Sequence, residues 1–253
     1  MPKTTKAKKL KKLNRHPKGN KNLKNSEGNI IDVRKLNKYY VSGHNAVRIL
    51  KDVSLSIPKG KLIVIYGPSG SGKSTFLNVI SGLDRATTGD VIVNDVNLSA
   101  LKDPEMTQFR RDNVGFVFQS YNLLPDLNAR DNVKIGQVLQ KDPQKALNVE
   151  DLFNDLGIKD VLDQDIRNLS GGQQQRVSVA RALSKNPTII FADEPTGSLD
   201  QKTTLKVIRL LAGINKKYGT TIIIVTHDQQ WKEVADQVLY VDDGRVSDHE
   251  TAS

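Results

Sequence analysis

The chain has 253 residues, 37% of them hydrophobic, which allows one large domain or two small ones around an apolar core. It contains no cysteine, so disulfides and thiolate metal sites are excluded, and its longest apolar runs, LIVIY and TIIIV, are far shorter than a bilayer-spanning helix of roughly 18–20 residues. A formal net charge of +10 is typical of proteins that bind nucleic acid, but here the excess of positive charge is confined to one end of the chain.

The N-terminal segment holds this excess of positive charge. Residues 1–26 contain nine lysines, one arginine and no acidic residue, and the remainder has 28 basic and 28 acidic residues. Because residues 1–28 have few apolar side chains to offset the entropy of ordering, we predict a disordered basic tail, without the apolar segment of a secretory signal. Two interpretations stay open: a solvated tail without a specific partner, and contact with anionic membrane or RNA by charge attraction.

From Ile30 onward, short β-branched runs alternate with segments of helix length. The predicted strands contain IIDVRKL, KLIVIYG, DVIVN, VGFVF, TIIFAD, TIIIVTH and VLYVDDG. A more polar, helical stretch covers about 120–168, and the amphipathic run TTLKVIRLLAGINKKYG ends at Gly219 directly before an apolar strand. Helices that end in glycine and lead into wholly apolar strands indicate a buried parallel sheet with crossover helices. We therefore predict an α/β fold.

The segment GPSGSGKST at 67–75 matches the phosphate-loop pattern, with an apolar strand before it and a helix after it. Its glycines let backbone N–H groups surround phosphate oxygens, and the helix directs its N-terminal dipole at the same anion. Lys73 would reach the β- and γ-phosphates and Ser74 would bind Mg²⁺. A tight turn without a ligand is disfavoured because strand, loop, lysine and helix agree. The predicted nucleotide contacts are Gly67, Pro68, Ser69, Gly70, Ser71, Gly72, Lys73, Ser74 and Thr75.

The segment TIIFADEP at 188–195 places two carboxylates at the end of a buried strand. The carboxyl ends of strands are where open α/β sheets bind ligands. We predict that Asp193 holds Mg²⁺ and that Glu194 accepts a proton from an attacking water. Asp-Glu at a lone strand would be an ordinary polar terminus, and the phosphate loop earlier in the chain is what favours the functional interpretation.

The segment LSGGQQQR at 169–176 is a second glycine-bearing run that leads into a helix. Ser170 can cap the helix or bind phosphate. Two interpretations follow: a serine-capped helix start, or a loop that closes over the γ-phosphate of a nucleotide held by another copy of the chain.

These motifs together resemble the ATP-binding-cassette (ABC) ATPases over about residues 30–246, with LSGGQ as the signature of that family. By this resemblance Tyr40, or alternatively Tyr39, stacks on adenine. Gln119, in VGFVFQ, is similar to the Q-loop glutamine, which meets Mg²⁺ and the attacking water.

Two further elements follow in the family's order. Ser198, Leu199 and Asp200 resemble the D-loop, and Asp200 is included among the predicted nucleotide contacts. His227, in IVTHD, resembles the switch histidine that bonds the γ-phosphate. A lone histidine after a strand is more often a surface or capped residue, so its assignment depends on the other motifs.

The resemblance implies a P-loop NTPase fold with a RecA-like, mostly parallel sheet, an antiparallel β subdomain and a helical insertion at about 120–168, within an ABC ATPase domain at 29–253. It also implies that two copies enclose two ATP molecules with Mg²⁺ and hydrolyse them. Each site would join one copy's phosphate loop, Gln119, Asp193, Glu194 and His227 to the other copy's signature. The signature contacts would be Ser170, Gly171, Gly172 and Gln173.

Three segments resemble the sequences of one branch of this family, the lipoprotein-release, macrolide-export and cell-division ATPases (LolD/MacB/FtsE-like). They are DEPTGSLD, GLDRATTGDV and YNLLPDLNARDNV. This resemblance implies a separate ATPase subunit of an exporter, cytoplasmic and held on the inner membrane face by an integral membrane permease. Leu123, Leu124 and Leu127 would receive the permease, or would pack ordinarily within the helical insertion.

Proteins of the same fold have other functions, and most of these require sequence features that this chain lacks. An ATP-driven regulatory module of a membrane complex, with no transported cargo, stays open. A DNA-repair or chromosome-organising ATPase is disfavoured because no sustained heptad run exists, and a ribosome-binding factor because such factors join two cassettes. We expect no specific nucleic-acid partner. A P-loop kinase or GTPase has no use for LSGGQ.

Overall fold

The computed structural model describes residues 19–42, 45–138, 140 and 142–249. The described strands are β1 (Asn29–Ser42), β2 (Asn45–Pro58), β3 (Leu62–Tyr66), β4 (Thr88–Val93), β5 (Val96–Asn97), β6 (Val114–Phe118), β7 (Ile189–Asp193), β8 (Thr221–Val225), β9 (Gln237–Asp242) and β10 (Arg245–Ser247). The described α-helices are α1 (Lys73–Ile80), α2 (Asp103–Asn113), α3 (Ala129–Val138), α4 (Val149–Asp155), α5 (Gly171–Leu183) and α6 (Gln201–Tyr218). Short 3₁₀ turns are Leu98–Ala100, Pro143–Lys145, Lys159–Val161, Ile166–Asn168 and Gln229–Glu233.

By their contacts the described residues divide into two compact units. The first comprises the described residues up to Lys59, with Ile65–Met106 and those from Val238 onward. The second comprises Gly60–Val64 and Thr107–Gln237. The predicted phosphate loop belongs to the first unit, and the predicted carboxylates and signature belong to the second.

The first unit contains an antiparallel sheet. Among the described residues its four strands lie in the order β2-β1-β4-β5, and strands β10 and β9 of this unit pair antiparallel. Strands β1 and β2 pair antiparallel, with Ile31 opposite Ile57 and Leu36 opposite Val53. Ile31, Leu36 and Ile57 are fully buried, so the pairing brings apolar side chains into the core.

The segment before β1 is hydrogen-bonded to this sheet. Asn25 and Asp95 exchange two bonds, from the Asn25 N–H to Asp95 Oδ1 (3.1 Å) and from the Asp95 N–H to Asn25 Oδ1 (2.7 Å). Ser26 Oγ donates to the buried carboxylate of Asp32 at 2.9 Å. Burial raises the pKa of Asp32, but hydrogen bonds from serine hydroxyls and a backbone N–H bring it below its ordinary value. Residues 1–28 were predicted to form a disordered tail. Residues 1–18 of that tail lie outside the described part of the chain, and the disorder of the tail stays a prediction.

The second unit is built around parallel strands: within the described chain, β8 pairs with β7 and β7 pairs with β6. At the carboxyl ends Phe118 of β6 is opposite Asp193 of β7, and Asp193 is opposite Val225 of β8. Every residue of β8 is buried, as expected for a central parallel strand. Helix α6 connects β7 to β8, so the predicted parallel sheet with crossover helices is confirmed.

Helix α6 has a defined beginning and end. The Asp200 side chain accepts a hydrogen bond from the Thr203 N–H (3.1 Å) and caps the helix. The helix ends at Gly219, whose φ of 65° is left-handed, as the sequence predicted. In the described part of the chain, no helix is both long enough and apolar enough to span a membrane.

The stretch predicted to be helical, about 120–168, contains α3 and α4 with 3₁₀ turns after each of them. The buried Asn132 side chain of α3 holds the loop that precedes this helix. It accepts from the Leu124 N–H (2.8 Å) and donates to the carbonyl oxygens of Leu124 (3.0 Å) and Leu127 (3.1 Å). The bounds of this stretch as a separate subdomain stay a prediction.

Candidate nucleotide site

The loop between β3 and α1 has the backbone conformation that a phosphate loop needs. Gly70 and Gly72 have φ of 78° and 107°, a region that favours glycine. A Cβ on Gly67 would lie 2.1 Å from the Val241 carbonyl oxygen, so close approach of β9 also requires glycine there. Helix α1 starts after Gly72 without a side-chain cap in the described chain, which leaves its first N–H groups directed out of the helix end. The exposed residues of this loop and first turn are Pro68, Ser69, Gly70 and Ser74, and Thr75 is half-buried.

Lys73 and Ser71 supply the polar side chains at the base of this loop. The Lys73 ammonium donates to the carbonyl oxygens of Gly67 (2.7 Å) and Pro68 (2.8 Å). The Ser71 hydroxyl is buried and has no hydrogen-bond partner in the part of the chain that the structure describes. An ammonium, an uncapped helix N-terminus and an unpartnered hydroxyl are groups that phosphate oxygens satisfy. The loop therefore fits a nucleotide phosphate.

Tyr40 presents an open aromatic ring on β1, in the same unit as the phosphate loop. The residue is 45% exposed, and its hydroxyl donates to Asp84 Oδ2 at 2.8 Å. Burial and the Asp84 carboxylate raise the pKa of this hydroxyl, and the Lys38 ammonium lies 4.7 Å from the ring centroid. Tyr39 is half-buried, with the Arg48 guanidinium 5.8 Å from its ring centroid. Of the two tyrosines, Tyr40 has the more open ring face.

In the second unit, predicted site residues follow the carboxyl ends of neighbouring parallel strands. The last residues of β6, β7 and β8 are in register, so Gln119, Glu194 and Thr226 all start from the same edge of the sheet. Asp193 is the last residue of β7, and His227 comes directly after Thr226. Strand order and register thus bring together at one edge residues that are more than a hundred positions apart in the chain.

The Glu194 carboxylate has partners on both of its oxygens. His227 Nδ1 lies 2.9 Å from Oε1, and the Thr226 hydroxyl donates to Oε2 at 3.1 Å. The Glu194 backbone is left-handed, with φ of 48°, and its N–H donates to the Val225 carbonyl oxygen at 2.8 Å. A non-glycine residue in this region costs about 1–2 kcal/mol, and such strain is often found at functional sites. The Glu194 carboxylate is half-buried, whereas the His227 side chain is 74% exposed.

Asp193 and Gln119 are the predicted metal ligands at this edge. A Cβ built on Gly197 would lie 3.0 Å from Gln119 Nε2, so the Gln119 amide packs closely against the loop that follows Glu194. The described residues contain no group of three or more histidine or carboxylate side chains that could hold a metal without help. Mg²⁺ in nucleotide sites uses one or two protein carboxylates and completes its shell with phosphate oxygens and water. One carboxylate and one amide oxygen fit that partial ligand set.

Ser170 begins helix α5 with a complete capping box. Its hydroxyl accepts from the Gln173 N–H (3.3 Å), and Gln173 Oε1 accepts from the Ser170 N–H (2.9 Å). Gly171 and Gly172 form the first turn, and a Cβ on Gly171 would lie 3.0 Å from Tyr121 Oη. The single chain thus contains the serine-capped helix start, and contact of this loop with another copy's nucleotide stays a prediction.

The predicted D-loop is tied to the loop of Gln119. Ser198 Oγ lies 2.9 Å from Tyr121 Oη, and it donates to the Gln119 carbonyl oxygen at 3.4 Å. Asp200 is exposed and is the cap of α6, and hydrogen bonds from Thr203 hold its pKa below the ordinary value. The described contact of Asp200 is therefore a helix cap.

A family model described as ABC transporter matches residues 50–197, which is more than half of the chain. The chain belongs to the ABC transporter family. Its fold is that of the ABC nucleotide-binding cassette, a P-loop NTPase fold of mixed sheets and helices, which confirms the predicted fold class.

Two of the relatives are longer proteins that match this chain over part of their own length. It is 48% identical over 218 residues to the putative ABC transporter ATP-binding protein MG065 of Mycoplasma genitalium, which covers 86% of this chain and 47% of that protein. It is 42% identical over 219 residues to the macrolide export ATP-binding/permease protein MacB of Psychrobacter arcticus, which covers 86% of this chain and 33% of that protein. The predicted resemblance to the branch that includes MacB is confirmed. The chain spans about half or less of the length of these relatives.

The cassette also resembles solved structures of MJ0796. The structure described as a dimeric bacterial ABC transporter cassette is 40% identical, has a TM-score of 0.75, and covers 86% of this chain and 96% of that one. A second MJ0796 structure, described as a post-hydrolysis state bound to ADP and Pi, has a TM-score of 0.76 at 38% identity, with the same coverage.

Sequence patterns missed three contacts in the second unit of the cassette. Thr226, the partner of Glu194, is fully buried directly before the predicted switch histidine. Gln175 is fully buried in α5 and donates to the Pro195 carbonyl oxygen at 2.6 Å. Trp231 is fully buried, and its indole N–H donates to Thr196 Oγ1 at 3.3 Å. The sequence contains one indication of the last two contacts: their acceptors, Pro195 and Thr196, directly follow the predicted catalytic Glu194.

Proposed function

We propose that this cassette binds ATP with Mg²⁺ and hydrolyses it as the ATP-binding subunit of an ABC transporter. The observation that carries the proposal is Glu194 at the carboxyl edge of the parallel strands, held by Thr226 and His227, in a chain that also contains a phosphate loop with an uncapped helix. A carboxylate oriented by two partners is what positioning an attacking water requires.

The phosphate loop and Tyr40 bind the nucleotide in this proposal. Backbone N–H groups of the loop and the Lys73 ammonium hold the phosphates, and the exposed ring of Tyr40 stacks on the base. Mg²⁺ held by Ser74, Gln119 and Asp193 would neutralise charge on the phosphate oxygens.

Glu194 and His227 carry the chemical step. Glu194 orients a water and accepts its proton as the water oxygen bonds to the γ-phosphorus and the bond to ADP breaks. His227, whose side chain is largely exposed, donates a hydrogen bond to the γ-phosphate. The products are ADP and inorganic phosphate.

A second copy of the chain completes each site. Ser170, Gly171, Gly172 and Gln173, with Asp200, would face the γ-phosphate bound by the partner copy. The dimeric MJ0796 cassette supports this arrangement, as does the exposure of Ser170. Because both copies then contact one triphosphate, ATP favours the closed dimer, and hydrolysis removes that preference.

The dimer would act on an integral membrane permease and so lie at the cytoplasmic face of the membrane. MacB, a relative whose name joins ATP-binding and permease functions, supports an exporter or a mechanotransmission system of that branch. Leu124 is 42% exposed although it is apolar, while Leu123 and Leu127 are half-buried. An exposed leucine held by the buried Asn132 is a suitable contact for a permease helix.

Glu194→Gln tests the proposed activity. We expect ATP affinity to be retained, hydrolysis to fall by about 100- to 10,000-fold, and an ATP-bound dimer to accumulate. Phosphate release, equilibrium ATP binding and light scattering measure these three results. Glu27→Gln, the same change at an exposed glutamate, should match the unchanged chain. If the unchanged chain shows no ATP hydrolysis, the proposed function is wrong, and if Glu194→Gln hydrolyses normally, Glu194 has no part in it.

Leu124→Asp tests the permease contact. Because the side chain is exposed, we expect the free energy of unfolding to change by less than about 0.5 kcal/mol and ATP binding to be retained. Hydrolysis by membranes that contain both subunits should no longer respond to the transported cargo. A large loss of stability would instead make Leu124 a packing residue. If a permease responds without moving any cargo, the alternative of an ATP-driven regulatory module is favoured.

A further inference from the structure

The fully buried hydroxyl of Thr226 lies beside the carboxylate that the proposed function assigns to the attacking water. We infer that Thr226 is a positioning residue whose hydroxyl fixes the Glu194 carboxylate in the orientation needed for hydrolysis. The inference rests on the proposed function, and it adds to that mechanism a residue that touches neither nucleotide nor water.

The Thr226 hydroxyl has a second partner besides Glu194. The Asp228 N–H donates to Thr226 Oγ1 at 3.1 Å, and a backbone N–H can act as a donor alone. The hydroxyl therefore accepts from Asp228, and with its single hydrogen it donates to Glu194 Oε2 at 3.1 Å. One side chain thus links the switch-histidine loop to the carboxylate.

Thr226 and His227 hold the carboxylate in different ways. The Thr226 side chain is fully buried and is bonded on both sides, so it has one orientation. The His227 side chain is 74% exposed and has space to turn toward a phosphate. If His227 turns, Thr226 still holds Oε2. The threonine is the fixed anchor of Glu194, and the histidine is the exchangeable one.

The backbone supports the same anchor. The Glu194 N–H donates to the carbonyl oxygen of Val225, the residue directly before Thr226, at 2.8 Å. Beyond the paired ends of β7 and β8, the segments that follow these two strands are therefore joined by two hydrogen bonds in succession, one from the backbone of Glu194 and one from the side chain of Thr226. This pair of bonds holds the left-handed conformation of Glu194, whose φ is 48°.

Thr226→Val removes the hydroxyl and keeps the shape of the side chain. We expect kcat for ATP hydrolysis to fall by about 10- to 100-fold, the range for losing a hydrogen bond to a charged group, with ATP affinity unchanged. Thr226→Ser restores the hydroxyl and should return kcat to within about twofold of the unchanged chain. In a Glu194→Gln background, Thr226→Val should cause no further fall in single-turnover hydrolysis, because the threonine acts through that carboxylate.

Thr220→Val is the matched control. Thr220 is buried directly before β8 begins, and its hydroxyl donates to the carbonyl oxygens of Pro187 (2.9 Å) and Thr188 (3.3 Å). Its loss should lower the free energy of unfolding by a similar amount and leave kcat unchanged. If Thr226→Val does not fold, the pair Thr226→Ala and Thr226→Ser, which differ by the hydroxyl alone, carries the same comparison.

The possible results are distinct. A fall in kcat confined to variants without the hydroxyl at 226 supports the inference. It is overturned if Thr226→Val hydrolyses like Thr220→Val, if Thr226→Ser is as impaired as Thr226→Val, or if the effect persists in the Glu194→Gln background. Absence of hydrolysis in the unchanged chain would instead contradict the proposed function and would be seen before any variant is compared.

Discussion

The segments at 67–75 and 169–176 both join a glycine- and serine-bearing loop to a helix, yet they differ in how the helix begins. Helix α1 follows Gly72 with φ of 107° and, in the described chain, without a side-chain cap. Helix α5 follows Ser170, an extended residue whose side chain and that of Gln173 form a capping box. The first N–H groups of α1 thus receive no side-chain cap in the described chain, whereas some of those of α5 are satisfied by the capping box.

This difference shows that a glycine-bearing loop before a helix is not by itself a phosphate site. The first loop also carries an ammonium and a buried, unpartnered hydroxyl in the described chain, and it has the features of an anion site on its own. The second is a stable helix start on its own. Under the proposed function it gains a ligand when a second copy presents one, so the two loops should respond differently to substitution.

The largest expected effect is on the first loop. Lys73→Ala removes the ammonium proposed to contact the phosphates, and we expect ATP affinity to fall by about 100-fold or more and hydrolysis to be lost. Lys59→Ala, at an exposed lysine, should leave both unchanged. Isothermal titration with ATP and phosphate release measure the result. Unchanged affinity in Lys73→Ala would mean that the first loop is not the phosphate site.

A smaller effect is expected for the second loop. Ser170→Ala should cost about 1 kcal/mol of unfolding free energy through the lost cap and lower hydrolysis by about 10-fold, with ATP affinity of the single chain unchanged. Asn148→Ala is the matched control, because Asn148 caps α4 by accepting from two backbone N–H groups. It should cost similar stability and leave hydrolysis unchanged. Equal hydrolysis by both variants would make the second loop a capped helix start and no more.

The third comparison concerns the free energy of unfolding and tests the backbone conformation of the two loops. Gly72→Ala places a side chain at a φ of 107° and should cost about 1–2 kcal/mol of unfolding free energy. Gly171 lies in the first turn of α5 and its φ is not positive, so Gly171→Ala should change the free energy of unfolding by less than about 0.5 kcal/mol. Urea unfolding measures both. A larger loss in Gly171→Ala would show that the Tyr121 hydroxyl, 3.0 Å from the new Cβ, does not yield.

Much of the fold and part of the site follow from local sequence. The apolar runs of β3, β7 and β8 and the glycine at 219 indicated parallel strands and a crossover helix, because burial and turn conformation depend on neighbouring residues. The phosphate loop was predictable for the same reason. The predicted roles of the individual site residues stay predictions, since contacts within one chain do not test them.

Other features depend on residues distant in the chain. The bond from Thr226 to Glu194 requires the register of two strands that are joined by an 18-residue helix, and no pattern in either segment contains it. Asn25 is hydrogen-bonded to Asp95 in the β4–β5 turn, about 70 positions further along the chain. Asn25 itself belongs to the segment that composition predicts to be disordered. Composition predicts the average behaviour of a segment, and pairs of this kind depend on the folded partner.

Trp231 is the single tryptophan of the chain, and its indole is fully buried against Thr196, in the loop that follows Glu194. The tryptophan fluorescence of the protein, excited at about 295 nm and so apart from the tyrosines, therefore originates from one ring that contacts the stretch after the carboxylate and lies in the stretch after the histidine. Rapid mixing with nucleotide would follow the rearrangement of these two stretches in real time, without an attached dye.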